Sequence, residues 1–183
     1  MTPNNPYITL SYVSSLDGKI TKGKNPHTNT WASKEDQSTF AKLIKNHKAI
    51  IISSKTYEVI KKTIKHQPGK LRIVMTRNPK KYSKETIPGQ LEFSSESPRK
   101  IIKNLSKKGI KKILLAGGGI LSSLFLKSKL VDNLILTLEP KIFGAGTEMI
   151  APPLLNINLK LINLKHLNKK GTLLLTYKVI KTF

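Results

Sequence analysis

Short apolar runs, each too brief for a buried helix, set the limits on how this chain can fold: Ile8 to Val13, Ala49 to Ile52, Leu71 to Met75, Ile113 to Leu115, Leu134 to Leu138, Leu159 to Leu164 and Leu173 to Ile180. Runs of this length read as strands. Helical patterns fall between several of them. Ser33-Lys34-Glu35-Asp36 has the form of a helix start, a serine cap followed by an acidic first turn, and Phe40, Leu43, Ile44 and His47 follow at helical spacing. Ser97-Pro98 through Leu105 opens with a cap and a proline at the first helical position. Strands alternating with helices predict an α/β sheet with crossover connections. The end of the chain differs. Leu159 to Leu167 and Leu173 to Ile180, joined across Asn168-Lys169-Lys170-Gly171, read as an antiparallel hairpin, so the expected sheet is mixed.

With 183 residues and no linker rich in Pro, Gly or Ser, the chain is expected to form one domain over residues 1–183 with one active site. No apolar run approaches the roughly 18 to 20 residues that cross a bilayer. Met1 to Tyr7 lacks the charged-then-apolar form of a signal peptide, which predicts a cytoplasmic location. Zero cysteines exclude disulfides and thiolate-bound zinc, including the zinc of nucleobase deaminases. His27, His47, His66 and His166 have no ligand spacing, and no metal is assigned to them. The net charge of +23 points by itself to nucleic acid. Yet only Arg72, Arg77 and Arg99 are arginines, and the lysines are scattered along the chain. That pattern predicts a solvated basic surface, with weak, non-specific attraction for nucleic acid and some attraction for an anionic substrate.

Gly117-Gly118-Gly119 directly follows the apolar run Ile113 to Ala116 and opens a helical pattern through Ile120, Leu121, Leu124, Phe125 and Leu126. Glycines at a strand-to-helix turn let a bound group approach the backbone, and a helix start attracts phosphate, so the turn is a candidate cofactor cradle. It matches neither GxGxxG nor a P-loop. Ser54-Lys55-Thr56 at the end of the second run and Thr76-Arg77-Asn78 at the end of the third are further candidates for cofactor phosphates, Arg77 for an extra 2′-phosphate. Ser15 and Asp17, in Ser15-Leu16-Asp17-Gly18, place a carboxylate beside a glycine turn at the expected carboxyl edge of the sheet. Asp36 and Phe40 share a helix face, with Trp31 just upstream, an arrangement suited to the amidine-like edge of a heterocycle. On spacing alone, a plain turn role is the commoner reading of Asp17 and a capping or dipole role that of Asp36, while N-capping by Ser53 or Ser54 accounts for that turn as well as cofactor binding does.

Leu114-Leu115-Ala116-Gly117-Gly118-Gly119-Ile120-Leu121, followed by Phe125-Leu126, Leu130-Val131-Asp132 and Pro140-Lys141-Ile142-Phe143-Gly144, resembles the dihydrofolate-reductase-like proteins that include the reductase domain of riboflavin biosynthesis. The Ser15 to Ile20 stretch is similar to a second signature of those reductases. The resemblance implies a three-layer fold, a mixed, mostly parallel sheet flanked by helices. It implies an NADPH-dependent reductase that converts a phosphorylated ribosylamino-pyrimidine to its ribityl form. Thr56, Thr76 to Pro79 and Gly117 to Leu121 would then line the NADPH site, and Asp17 would lie near the reacting carbon. Pro140 to Gly146, with Pro140 and Gly144, would help close the pocket. Three positions depart from the riboflavin pattern: Ala116 replaces a glutamate, Ile60 an acid and Ser11 a lysine. By contrast Lys55-Thr56-Tyr57-Glu58, the Trp31, Asp36 and Phe40 spacing, and Leu136-Thr137 are similar to dihydrofolate reductases proper, in which the aspartate and the threonine bind the pterin. Both substrates stay open, as does a basic nucleic-acid-binding protein on the same fold. The terminal hairpin and Leu154-Leu155 lead us to expect a homodimer.

Overall fold

A computed structural model of the chain describes residues 5–152 and 155–181. Leu154, half of the dipeptide in the dimer expectation, lies outside the described residues. Every expected strand is present. In chain order they are β1 (Tyr7–Ser14), β2 (Ala49–Ser53), β3 (Leu71–Met75), β4 (Leu91–Ser94), β5 (Lys112–Leu115), β6 (Asn133–Leu138), β7 (Asn158–His166) and β8 (Leu173–Ile180). They form one sheet in the order β4-β3-β2-β5-β1-β6-β8-β7. The six strands from β4 to β6 are parallel, and β8 and β7 are added antiparallel.

Four helices connect the parallel strands: α1 (Lys34–Asn46), α2 (Ser54–Ile60), α3 (Pro98–Lys107) and α4 (Gly119–Lys127). Their starts follow local chemistry. Ser33 Oγ accepts from the Asp36 amide at 3.2 Å, and Ser53 Oγ accepts from the Thr56 amide at 3.2 Å. Ser97 Oγ accepts from the Lys100 amide, with Pro98 filling the first helical position. At the other end of α1, the Lys70 ammonium donates to the carbonyls of Ile44 and His47, at 2.6 and 2.8 Å, where a cation meets the negative end of the helix.

Alternation along the strands gives the sheet two apolar faces. Ile8, Leu10, Ile51, Ile113 and Leu115 pack with Ile101 and Leu105 of α3 and Phe125 of α4. Ile50, Ile52, Val74 and Leu114 pack with Tyr57 of α2 and Leu43 and Ile44 of α1. The central strands β2 and β5 are buried on both sides, so they read as continuous aliphatic runs rather than alternating ones. The strand order reverses between β1 and β2, with β5 inserted between them. Ligands bind at such a switch point, beyond the carboxyl ends of the strands.

Candidate functional site

The turns that leave the carboxyl ends of β2, β5, β1 and β6 are neighbours because their strands are neighbours. The three glycines after β5 do three different things. A Cβ built on Gly117 would lie 2.9 Å from Leu121 Cδ2 and 3.2 Å from the Ser53 amide nitrogen, so this glycine lets the turn press against the end of β2. A Cβ on Gly119 would meet the Glu148 carbonyl oxygen at 2.6 Å and the Ala151 amide nitrogen at 3.2 Å, so this one packs under the segment that follows β6. A Cβ on Gly118 would meet nothing within 4 Å. Gly118 is also the N-cap of α4 and offers no side-chain acceptor, which leaves the first-turn amides free to receive an anion. Beside them Ile120 is 72 % exposed, while the Leu121 side chain turns into the core and can serve a ligand only through its amide.

The segment 15–25 and the segment 141–149 are zipped together. Asp17 is the main fastener: its Oδ1 accepts from Ser15 Oγ at 2.6 Å and from the Phe143 amide at 3.1 Å, and its Oδ2 accepts from the Gly144 amide at 2.8 Å. These bonds, the Ser15 hydroxyl foremost, pull the Asp17 carboxyl down to about 2. Ile20 donates to the Thr147 carbonyl, Gly23 to the Ala145 carbonyl and Met149 to the Gly18 carbonyl, and Lys19 pairs with Glu148. The zip allows no side chain at Gly146, where a Cβ would collide with the Thr21 carbonyl. Ser15 is fully buried, and its hydroxyl donates to Asp17 and accepts from the Lys19 amide.

Asp36 is the buried acid of the site. Set in the first turn of α1 and only 8 % exposed, it is pushed up to about 6 by burial and by the neighbouring Glu139 carboxylate, against an opposing hydrogen bond from Thr137 on β6. Thr137 is 2 % exposed. Trp31 is buried edge-on against Phe143, with ring centroids 5.1 Å apart, and its indole N–H has no partner. A buried donor without an acceptor is costly and is the kind of group a ligand satisfies. Phe40, one turn beyond Asp36, is partly exposed.

Glu139 was not singled out by the sequence. Its Oε1 accepts from the Ser33 amide at 2.7 Å and its Oε2 from Thr172 Oγ1 at 2.9 Å, so it ties the start of α1 to β6 and to the turn before β8. The signal for it was an acid placed directly after the apolar run of β6, where a buried charge needs a purpose. Lys141 reinforces the tie by donating to the Trp31 carbonyl at 2.6 Å. Thr56 faces Ser53, with 3.0 Å between their hydroxyls, and Ser54 and Lys55 flank it on the first turn of α2. Arg77 and Asn78 are exposed beyond β3, one strand further out, and Thr76 Oγ1 accepts from the Asn78 amide. Pro140 lies against Gly171, and Gly144 is exposed above Asp17. Among the described residues no group of three His, Asp or Glu side chains forms a cation site, and no helix is long and apolar enough to cross a membrane.

Residues 6–173 match the family described as the RibD C-terminal domain. The chain is 26 % identical over 164 residues to the uncharacterized protein YyaP of Bacillus subtilis (strain 168), covering 85 % of this chain and 86 % of that protein. Its fold is similar to the diaminohydroxyphosphoribosylaminopyrimidine deaminase/5-amino-6-(5-phosphoribosylamino)uracil reductase of Thermotoga maritima, with a TM-score of 0.75 and 20 % identity over 95 % of this chain and 56 % of that one. It is also similar to the dihydrofolate reductase of Enterococcus faecalis in complex with NADP(H), with a TM-score of 0.64 and 16 % identity over 94 % of each chain.

Proposed function

Because the chain belongs to the RibD C-terminal domain family, a reductase family of riboflavin biosynthesis, we propose that it is an NADPH-dependent cytoplasmic reductase of a phosphorylated ribosylamino-pyrimidine. The observation that carries the cofactor assignment is the glycine turn. Open space at Gly118, next to free amides at the start of α4, fits a pyrophosphate laid against the backbone, and any Cβ would intrude there. Thr56, Lys55 and Ser54 flank the cradle from α2, and Thr76, Arg77 and Asn78 are the groups for a 2′-phosphate, which favours NADPH over NADH.

When bound, NADPH supplies the hydride. The chain supplies position, a shielded environment and a proton. Asp36 and Thr137 grip the polar edge of the heterocycle, and a carboxyl held near 6 exists in both protonation states around neutral pH, so it can accept a ring N–H and return a proton. Trp31 offers its free indole N–H to a ring acceptor. Asp17 acts beside the reacting carbon through the loop it fastens, holding Phe143 and Gly144 over the pocket.

A second reading, reduction of a dihydropterin, is favoured by one observation: the buried Asp36 and Thr137 pair matches a 2-amino-4-oxo ring edge, which presents two donors to a carboxylate. NADPH oxidation measured with the ribosylamino-pyrimidine phosphate and with dihydrofolate side by side decides. Turnover of the first is expected. Turnover of dihydrofolate alone would move the assignment to the second reading, and turnover of neither would remove both.

A further inference from the structure

Among the described residues two carboxyl groups are buried, Asp36 and Glu139, and only the first has a part in the proposed chemistry. Glu139 follows β6 directly and is 2 % exposed; an acid taken out of water at such a place is costly unless its oxygens are occupied. Both are. Oε1 accepts from the Ser33 amide at 2.7 Å and Oε2 from Thr172 Oγ1 at 2.9 Å. The direction of the second bond is fixed from behind: Asn168 Nδ2 donates to Thr172 Oγ1 at 3.0 Å, which turns the hydroxyl proton toward Glu139. Asn168 Oδ1 accepts from the Lys170 and Thr172 amides, so the turn between β7 and β8 is held in the shape that presents this hydroxyl.

The two acids meet at Ser33. Its amide donates to Glu139 while its hydroxyl accepts from the Asp36 amide at 3.2 Å, so both carboxyl groups hang on the same cap of α1. They are joined again from the sheet, because Glu139 stands two residues after Thr137, whose hydroxyl bonds Asp36. Two carboxyl groups in one site resist ionising together. The surrounding charges are committed elsewhere. β1 and β6 carry no charged side chain, and Lys141 gives its ammonium to the Trp31 carbonyl at 2.6 Å. Lys34 on α1 and Lys170 in the turn are exposed and bear on Glu35, which Asn168 holds at 3.1 Å. Asp17 is turned to the Phe143 and Gly144 amides. We propose that Glu139 is a positioning residue of the reductase: it fixes the start of α1 against β6, and its charge, facing Asp36, sets the pH range in which the enzyme works. The kinetic half of this inference rests on the reductase reading; the electrostatic half does not.

Glu139→Gln keeps the shape and removes the charge. Carbon-13 NMR of the carboxyl groups follows Asp36, whose resonance is the one lost in Asp36→Asn. Asp36 is expected to titrate near 6 in the wild-type protein and about one pH unit lower in Glu139→Gln. The inflection in kcat/KM for the ribosylamino-pyrimidine phosphate that belongs to Asp36 should fall by the same amount. Thr172→Val cuts one tie and leaves the charge, so it should melt at a lower temperature while Asp36 titrates close to its wild-type value; near-UV circular dichroism reports whether each variant folds. An Asp36 that titrates in the ordinary carboxylate range in the wild-type protein overturns the proposal whether or not either variant folds. So does an unmoved titration in well-folded Glu139→Gln, an equal displacement in the two variants, or a displaced titration with an unmoved rate profile. Absence of turnover with any substrate would remove the reductase reading and the kinetic half with it, while the titration still decides whether Glu139 governs Asp36.

Discussion

Gly118 and Gly119 are neighbours with opposite tolerances. At Gly118 the backbone has φ −59 and a Cβ meets only open space, so Gly118→Ala should fold like the parent. It should nevertheless bind NADPH about tenfold more weakly, because the methyl occupies the space where the backbone admits the pyrophosphate. Gly119→Ala presses on the Glu148 carbonyl and should lower thermal stability first. Calorimetric titration with NADPH beside a melting curve separates the two; unchanged cofactor affinity in Gly118→Ala would remove the cradle. Asp36 gives a prediction of stability with a definite sign. Its native carboxyl titrates near 6, above the unfolded value of about 4, so the fold resists its ionisation. The stability it contributes is complete below the unfolded value and is lost as pH rises through about 6. Asp36→Asn should therefore be more stable than the parent above pH 6, on the order of 2 kcal/mol, with the difference gone near pH 4. It should also lose about a hundredfold or more in turnover. Urea unfolding at the two pH values, with rates at pH 7, checks both; equal stability at high pH would show that the carboxyl is not held above its ordinary range.

The zip between segments 15–25 and 141–149 ranks as an element in its own right, and Asp17 is its fastener. The carboxyl, held at about 2, keeps its charge throughout the working pH range, so the zip itself should be insensitive to pH. Asp17→Asn replaces one acceptor oxygen by a donor that faces backbone amides. We expect faster hydrogen exchange at Phe143 and Gly144, turnover down by about tenfold or more, and NADPH affinity nearly unchanged. A fall in turnover with exchange at those amides unaltered would place the carboxylate's action on the substrate itself. Much of this architecture was legible in the chain. The strands with three or more aliphatic residues in succession, the Ser33 and Ser97 caps and the glycine turn all announce themselves locally. The strand β4 did not, since Leu91-Glu92-Phe93-Ser94 offers two apolar residues and gains its place only by pairing with β3. The short 3-10 helix Pro79–Glu85 was not read from the sequence either, and the bulge in β7 between Leu161 and Asn163 exists only relative to β8. At the site, Asp36 and Thr137 were legible as residue types, but their contact joins segments a hundred residues apart. Asp17 was legible as a turn acid, whereas its partners at Phe143 and Gly144 come from another loop altogether.

Across the whole molecule the charge is one-sided in a particular way. All ten carboxylates already have partners. Glu58, Glu85, Glu92, Glu96, Asp132 and Glu148 are paired with lysines, and Glu35, Glu139, Asp17 and Asp36 are held by neutral donors. Most lysines are left to water. A surface of dispersed lysines without an aromatic stacking platform should bind nucleic acid weakly and without sequence preference, with affinity falling steeply as salt rises. Gel shifts at physiological salt test this, and tight, selective binding there would make nucleic acid the biological partner. The strand order carries a further consequence, for how the molecule is made. The central strand β5 begins only at Lys112, yet both of its neighbours, β1 and β2, precede it. As the chain leaves the ribosome, β2, β3 and β4 can assemble, while β1 waits with no strand beside it and with Ile8, Leu10 and Tyr12 bare. Nascent chains of this protein should therefore lean on chaperones until β5 has emerged, and a stall before Lys112 should yield an aggregating fragment rather than a half-built enzyme.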